Sequence, residues 1–161
     1  MRILLFALLG VIGCGGMASG PDGGTPSLDG GLDYSAVGLT AFVRSGGHAG
    51  WRAENAVHPS TGPHGGNVRS FVNELLYASL KAGNTTHPPG SAVVKELYGS
   101  GTTAVTGYAM DVKDSQGTWF FFEAFAPSYS NPYYYSGTTN FCASCHAAGP
   151  DFYLGLKTNL P

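Results

Sequence analysis

Charge is what this chain is shortest of. Only 11% of its 161 residues are Asp, Glu, Lys or Arg, and eight basic against ten acidic residues leave a formal net charge of −2. The basic residues are scattered, so the electrostatic footprint of a nucleic-acid binder is missing and nucleic acid is not an expected partner. Cysteine is scarce as well: Cys14, Cys142 and Cys145 are the three, and each is assignable without a disulfide. No second cysteine pair accompanies Cys142 and Cys145, which argues against a structural zinc site with its four grouped ligands. Long apolar runs are also missing. Nothing reaches the ~20 residues that span a bilayer. What the chain has instead is glycine, 25 residues, and a 43% hydrophobic fraction. A domain of ~120 residues with that content buries roughly two-thirds of its unfolded surface, so a sizeable core is expected.

The first residues read as an export signal. Met1-Arg2 is a minimal positive region, residues 3–12 are an apolar run of h-region length, and the run ends in Val11-Ile12-Gly13-Cys14. This resembles a bacterial lipobox. Residues 1–13 are then a lipoprotein signal peptide and Cys14 carries the lipid that ties the protein to a membrane, the alternative being an ordinary cleaved signal with Cys14 discarded. Two or three acyl chains exceed the single-chain threshold for stable anchoring. Residues 14–38 contain Gly-Gly pairs at 15–16, 23–24 and 30–31 and no apolar period. They read as a flexible tether, with a root-mean-square reach of roughly 25–30 Å. The implied location is the bacterial periplasm, lipid-anchored, with the outer membrane favoured.

Residues 39–161 form the expected domain. A short element at 39–44 precedes a loop-rich stretch, 46–66, that holds His48, His58 and His64 beside Gly and Pro. A strand over 67–73 leads into a short helix over 74–81, and a turn with His87-Pro-Pro precedes a β-branched strand at 91–98. Period two puts Val93, Lys95 and Leu97 on one face of that strand. By the residues alone, Lys95 either snorkels at a sheet edge or has a buried role, and the edge is favoured. Strands over 104–114 and 118–126 follow, joined by a hairpin turn, Asp114-Ser-Gln-Gly117. In the second of these, Trp119, Phe121 and Phe125 lie on one face and Phe120 and Phe122 on the other, as in an interior strand. Glu123 shares the Trp119/Phe121 face, either buried or, as favoured, paired across strands at the sheet's end. Residues 129–135 read as an aromatic loop, and a helix opens near Asn140.

That helix carries Phe141-Cys-Ala-Ser-Cys-His146, a C-x-x-C-H sequence. It is the attachment signature of c-type haem: two thiols on one helical turn add to the two vinyl groups, and the adjacent imidazole, His146, is delivered to the iron. Haem c, covalent and iron-containing, is the expected cofactor, with Cys142 and Cys145 binding it and His146 the metal ligand. Residues 147–161 contain no Met or His. A sixth ligand from this chain is therefore His48, His58, His64, His87 or Met110, or else the second axial face is open.

The order of features, with a late C-x-x-C-H behind an antiparallel sheet containing VKEL, resembles the cytochrome P-460 family and its relative cytochrome c′-beta. The resemblance runs from about residue 67 to 152 and rests on NVRSFVN, GSAVVKELY, MDVKDS, GTWFFFEAF and FCASCH. It implies an α+β fold: an antiparallel β-sheet of about five strands, flanking helices and a C-terminal haem-attachment helix. It matches Lys95 to the lysine that cross-links a haem meso carbon, which displaces the sheet-edge reading, and Arg69 to a distal-pocket arginine. The implied activity is oxidation of hydroxylamine and/or nitric oxide at an open distal haem face, with Lys95 and Arg69 catalytic. The implied partners are a small nitrogen-oxide ligand or substrate and a redox partner protein, and a homodimer is compatible. One departure matters. Residues 136–141, SGTTNF, lack the pocket carboxylate that family members active on hydroxylamine carry before the haem motif, and His64 or Glu123 then becomes the candidate general base. A non-catalytic nitric oxide binder of the cytochrome c′-beta type and a periplasmic electron-transfer cytochrome stay open as alternatives.

Overall fold

The computed structural model describes residues 32–125, 132–155 and 159–161. The signal, Cys14 and most of the tether lie outside the described residues. The first described element is α1 (Ala36–Arg44), which takes in three residues expected in the tether. Its reason is local. The Ser35 side chain accepts the Gly38 N–H as N-cap, and Leu39 and Val43, four apart, form a fully buried stripe.

Among the described residues the fold is α+β, built on one antiparallel sheet with three α-helices. Its strands are β1 (Arg52–Ala53), β2 (His58–Pro59), β3 (Asn67–Val72), β4 (Ala92–Gly99), β5 (Gly107–Lys113), β6 (Trp119–Phe125) and β7 (Tyr133–Ser136). The order is β1-β3-β4-β5-β6-β7, with β2 also pairing β3. The sheet thus has seven strands where about five were expected. The additions are the two-residue β1 and β2 on one edge and β7, which takes residues 133–135 of the expected aromatic loop into a strand against β6; residues 129–131 of that loop lie outside the described residues. The turn between β5 and β6 forms as expected. The Asp114 carboxylate accepts the Gln116 and Thr118 N–H groups, and Gly117 sits at φ 80°.

Between β3 and β4 lies α2 (Glu74–Lys81), placed by Asn73. The Asn73 side-chain oxygen accepts from Leu76 N at 3.0 Å and Ala92 N at 3.1 Å, while its amide donates to Gly90 O at 2.6 Å. One residue therefore caps the helix and pins it to the start of β4. Asn73→Ala removes all three bonds and costs at least the ~1 kcal/mol typical of a lost cap. The last helix, α3 (Phe141–His146), is capped by Asn140, whose side chain accepts from Ala143 N.

Helices cover both faces of the sheet. On one, α1 packs Leu39 and Val43 on Ala92, Val94, Met110, Val112, Phe122 and Ala124. On the other, Leu76 and Leu80 of α2 meet Val72, Val93 and Tyr153, and Ala143 of α3 meets Trp119 and Phe121. Burying each of these large apolar side chains stabilises by ~1.5–3 kcal/mol. The site lies on the second face, beside α3.

Candidate haem-binding site

In α3, Cys142 and Cys145 are three apart and so share one side of the helix. Neither is in a disulfide; Cys142 is half-buried and Cys145 exposed. Burial, helped by the Asp111 and Glu123 carboxylates, pushes the Cys142 thiol up to about 11. That is the reverse of a reactive dithiol or a thiolate metal ligand, whose pKa is lowered. Among the described residues no three His, Cys, Asp or Glu side chains group as a metal site.

His146 is held through one ring nitrogen. Its Nδ1 lies 2.9 Å from Phe152 O and 3.3 Å from the Asp111 carboxylate, and the ring stands edge-on to Phe121 at 5.2 Å. With two acceptors beside it, Nδ1 carries the proton. Nε2 then has its lone pair free, as an axial metal ligand requires.

Two adjoining cavities meet at His146. One of about 280 Å³ is lined by Glu54, His58, Ser70, Lys95, Leu154 and neighbours; the other, of about 490 Å³, by Glu123, Phe125, Tyr133, Tyr135, Phe141 and Cys142. Pro63, His64, Cys145 and His146 line both. Volumes of this order hold a cofactor-sized ligand. The second cavity is aromatic and borders both cysteines; the first is the richer in polar side chains. Two thiols on one helical side, a neighbouring imidazole with Nε2 free, and an aromatic cavity beside them fit a covalently held haem.

Strand register decides which expected residues share this site. Ser70, Lys95, Ala109 and Glu123 are successive cross-strand partners on β3, β4, β5 and β6, and so point the same way. Lys95 is on an interior strand, which rules out a sheet-edge role. It is half-buried and makes no hydrogen bond or ion pair with a described residue. The Glu123 carboxylate finds its partner in a loop and not on a neighbouring strand: it meets His64 Nδ1 at 2.8 Å, so the two candidate bases are one dyad.

Arg69 is not brought to either cavity. It pairs in register with Glu96, one residue out of phase with Lys95, and its side chain faces the α1 side of the sheet. There it donates from Nε to Glu54 O at 2.8 Å and lies over the Phe71 ring. The expected distal-pocket position is corrected accordingly. His48, bonded to Glu96, and Met110, in the α1 core, are on the same far side. His87 is buried against Ser79 and Tyr153 and lines neither cavity. Of the candidate sixth ligands, His58 and His64 line the site.

Sequence reasoning missed the carboxylates. Glu54, 1% exposed, accepts Ser70 N at 2.7 Å and meets His58 Nε2 at 2.9 Å. Asp111 backs His146. Neither is near the haem motif in the chain; the one available signal was an acidic residue between apolar neighbours in Met110-Asp-Val112, on a strand otherwise buried. No protein-family model matches this chain, and no curated protein or solved structure matches it.

Proposed function

We propose that the chain is an exported mono-haem c-type cytochrome resembling cytochrome P-460, oxidising hydroxylamine and/or nitric oxide in the cavity that holds Lys95. One observation carries the reading: Lys95, His64, Cys145 and His146, far apart in sequence, line a single cavity. Cys142 and Cys145 would hold the haem by thioether bonds and His146 Nε2 would ligate its iron. The haem, when bound, supplies the redox chemistry, taking electrons from the nitrogen substrate for delivery to a redox partner protein.

The chain's own residues do the rest. Lys95 would meet the macrocycle or substrate from the sheet, with no carboxylate among the described residues bonded to it. Hydroxylamine gives up protons along with electrons, and His64, backed by Glu123, is the acceptor at the cavity. This dyad supplies what residues 136–141 lack. Arg69 has no part at the cavity. The lipid at Cys14 and the periplasmic, membrane-anchored location belong to the same proposal; no helix among the described residues is long and apolar enough to cross a membrane.

The test is the purified protein's haem-peptide mass with a hydroxylamine-dependent acceptor assay. The reading expects haem on Cys142 and Cys145, a Lys95-containing peptide cross-linked to it, and turnover. Recovery of unmodified Lys95 removes the cross-link, and nitric oxide uptake without turnover replaces the enzyme by a gas binder. A second reading has its own support. His64 stands 6.3 Å from His146, ring centre to ring centre, which favours an electron carrier with His64 as sixth ligand. A low-spin optical spectrum unmoved by nitric oxide would select it.

A further inference from the structure

Just beyond α3 the backbone does something L-residues avoid. Asp151 sits at φ 46°, ψ 44° and Phe152 at φ 65°, two consecutive non-glycine residues in the left-handed region. Asp tolerates that region through its short polar side chain; a bulky Phe does not. Such a conformation persists when its surroundings over-determine it, and the outlier calls for an explanation.

The surroundings are a buried polar network with Asp151 at its centre. Asp151 Oδ2 accepts from Lys113 Nζ at 2.7 Å and from His87 N at 2.7 Å, and Oδ1 accepts from Trp119 Nε1 at 3.2 Å. Lys113 also donates to His87 O at 2.9 Å and is itself 6% exposed. Its ammonium lies over the Trp119 ring. The donors come from the ends of β5 and β6 and from the loop before β4, so the turn is tied to the sheet. Gly149 leaves room for this: a Cβ there would overlap Tyr153 O. Removing a buried ion pair from water is costly, and stability alone is a weak reason for its presence.

What the turn presents is the Phe152 carbonyl, 2.9 Å from His146 Nδ1. We infer that Asp151 is a positioning residue: held by Lys113, Trp119 and the His87 N–H, it fixes the left-handed turn that aims the Phe152 carbonyl at His146 and so, together with the Asp111 carboxylate at the same nitrogen, sets the imidazole's tautomer and donor strength. A hydrogen bond at Nδ1 raises the basicity of Nε2. In a haem protein this stabilises the ferric state. The inference rests on the haem reading for His146's role as ligand, but the geometry of the turn and imidazole does not.

Two variants separate side chain from backbone. Asp151→Gly accepts positive φ but loses the anchor, and Asp151→Asn keeps the shape but loses the charge. Lys113→Met removes the partner and covers the case in which an Asp151 variant fails to fold. In the holoprotein, all three are expected to raise the reduction potential above wild type, Asp151→Asn least. Leu80→Ala, a cavity in the α2 core, is the stability control and is expected to lower Tm with the potential unchanged. If the Asp151 and Lys113 variants lose Tm without a change in potential, or Leu80→Ala moves the potential as far, the inference is wrong. Should the wild-type chain carry no haem, the proposed function fails separately. The clamp is then read from His146 ring nitrogen NMR: a single Nδ1–H tautomer in wild type and a mixture in the variants supports it, and identical spectra overturn it.

Discussion

The two faces of the sheet are made by alternate residues of the same strands, and they have been filled by different rules. Under α1 the partners Phe71, Val94, Met110 and Phe122 form one row, and the centre of that face is apolar and closed. One residue along each strand, the row is Ser70, Lys95, Ala109 and Glu123, flanked by Asp111 and Glu54 and opening on two cavities. Three histidines, His58, His64 and His146, each meet a carboxylate beside the cavities, while His48 pairs with Glu96 on the other face. The first face is what a sheet needs to fold. The second gives up apolar contact to hold charged groups half out of water, an arrangement that raises the prior for a chemical site.

Four variants probe that contrast. The largest effect is expected from Cys145→Ser together with Cys142→Ser on α3: all covalently bound haem is lost, read by mass or by haem stain after denaturation, while the fold persists because Ala143 supplies the buried contact. His64→Ala comes next. It is expected to lower hydroxylamine turnover about 10²-fold or more, the range of a lost general base, with the unfolding midpoint little changed. Met110→Ala, on the closed face, should do the opposite. A fully buried Met truncated to Ala costs ~2–5 kcal/mol in urea unfolding, with the haem spectrum intact. Arg69→Ala sharpens the boundary between the faces. Loss of its charged hydrogen bond to Glu54 O costs ~1.5 kcal/mol and leaves turnover unchanged. A fall in turnover matching that of His64→Ala would return Arg69 to the site.

The smallest effect is a pH dependence. Burial pushes the Asp151 carboxyl up, but bonds from Lys113, His87 N and Trp119 outweigh it and hold the group below its ordinary value. Its contribution to stability is therefore whole above the unfolded-state value of ~3.9 and is lost as pH falls through the lower folded value. Urea midpoints measured between pH 6 and 3 are expected to fall less steeply for Asp151→Asn than for wild type.

Elements with a local cause were legible before the fold was known. Asn73 and Asn140 announce α2 and α3, the Asp114–Gly117 turn announces the hairpin, and the alternation in β4 and β6 is read directly from residue type. The short element at 39–44 was legible too, though its start at Ala36 depends on the Ser35 cap. Where the cause was a partner strand, the sequence was silent. Tyr133–Ser136 looks like a loop because its aromatic and proline-flanked residues lack a clean period, and it becomes a strand by pairing with β6. Glu54 and Asp111 carry no motif, and only pairing brings them to His58 and His146.

Lys95 and Arg69 show where the division falls. Period two within each strand is a property of L-residue geometry, so which neighbours share a face is already settled in one dimension. The phase between two strands is not. From Val68 to Val72 the pairing of β3 with β4 places Ser70, and not Arg69, opposite Lys95. One residue of slip would reverse it, because every side chain changes face. The sequence by itself determined the α+β class, the haem-type motif and the alternation of each strand. The tertiary structure decided that Lys95, His64, Cys145 and His146 border one cavity and that Arg69 does not, because cross-strand pairing, a contact between residues distant in the chain, sets the phase.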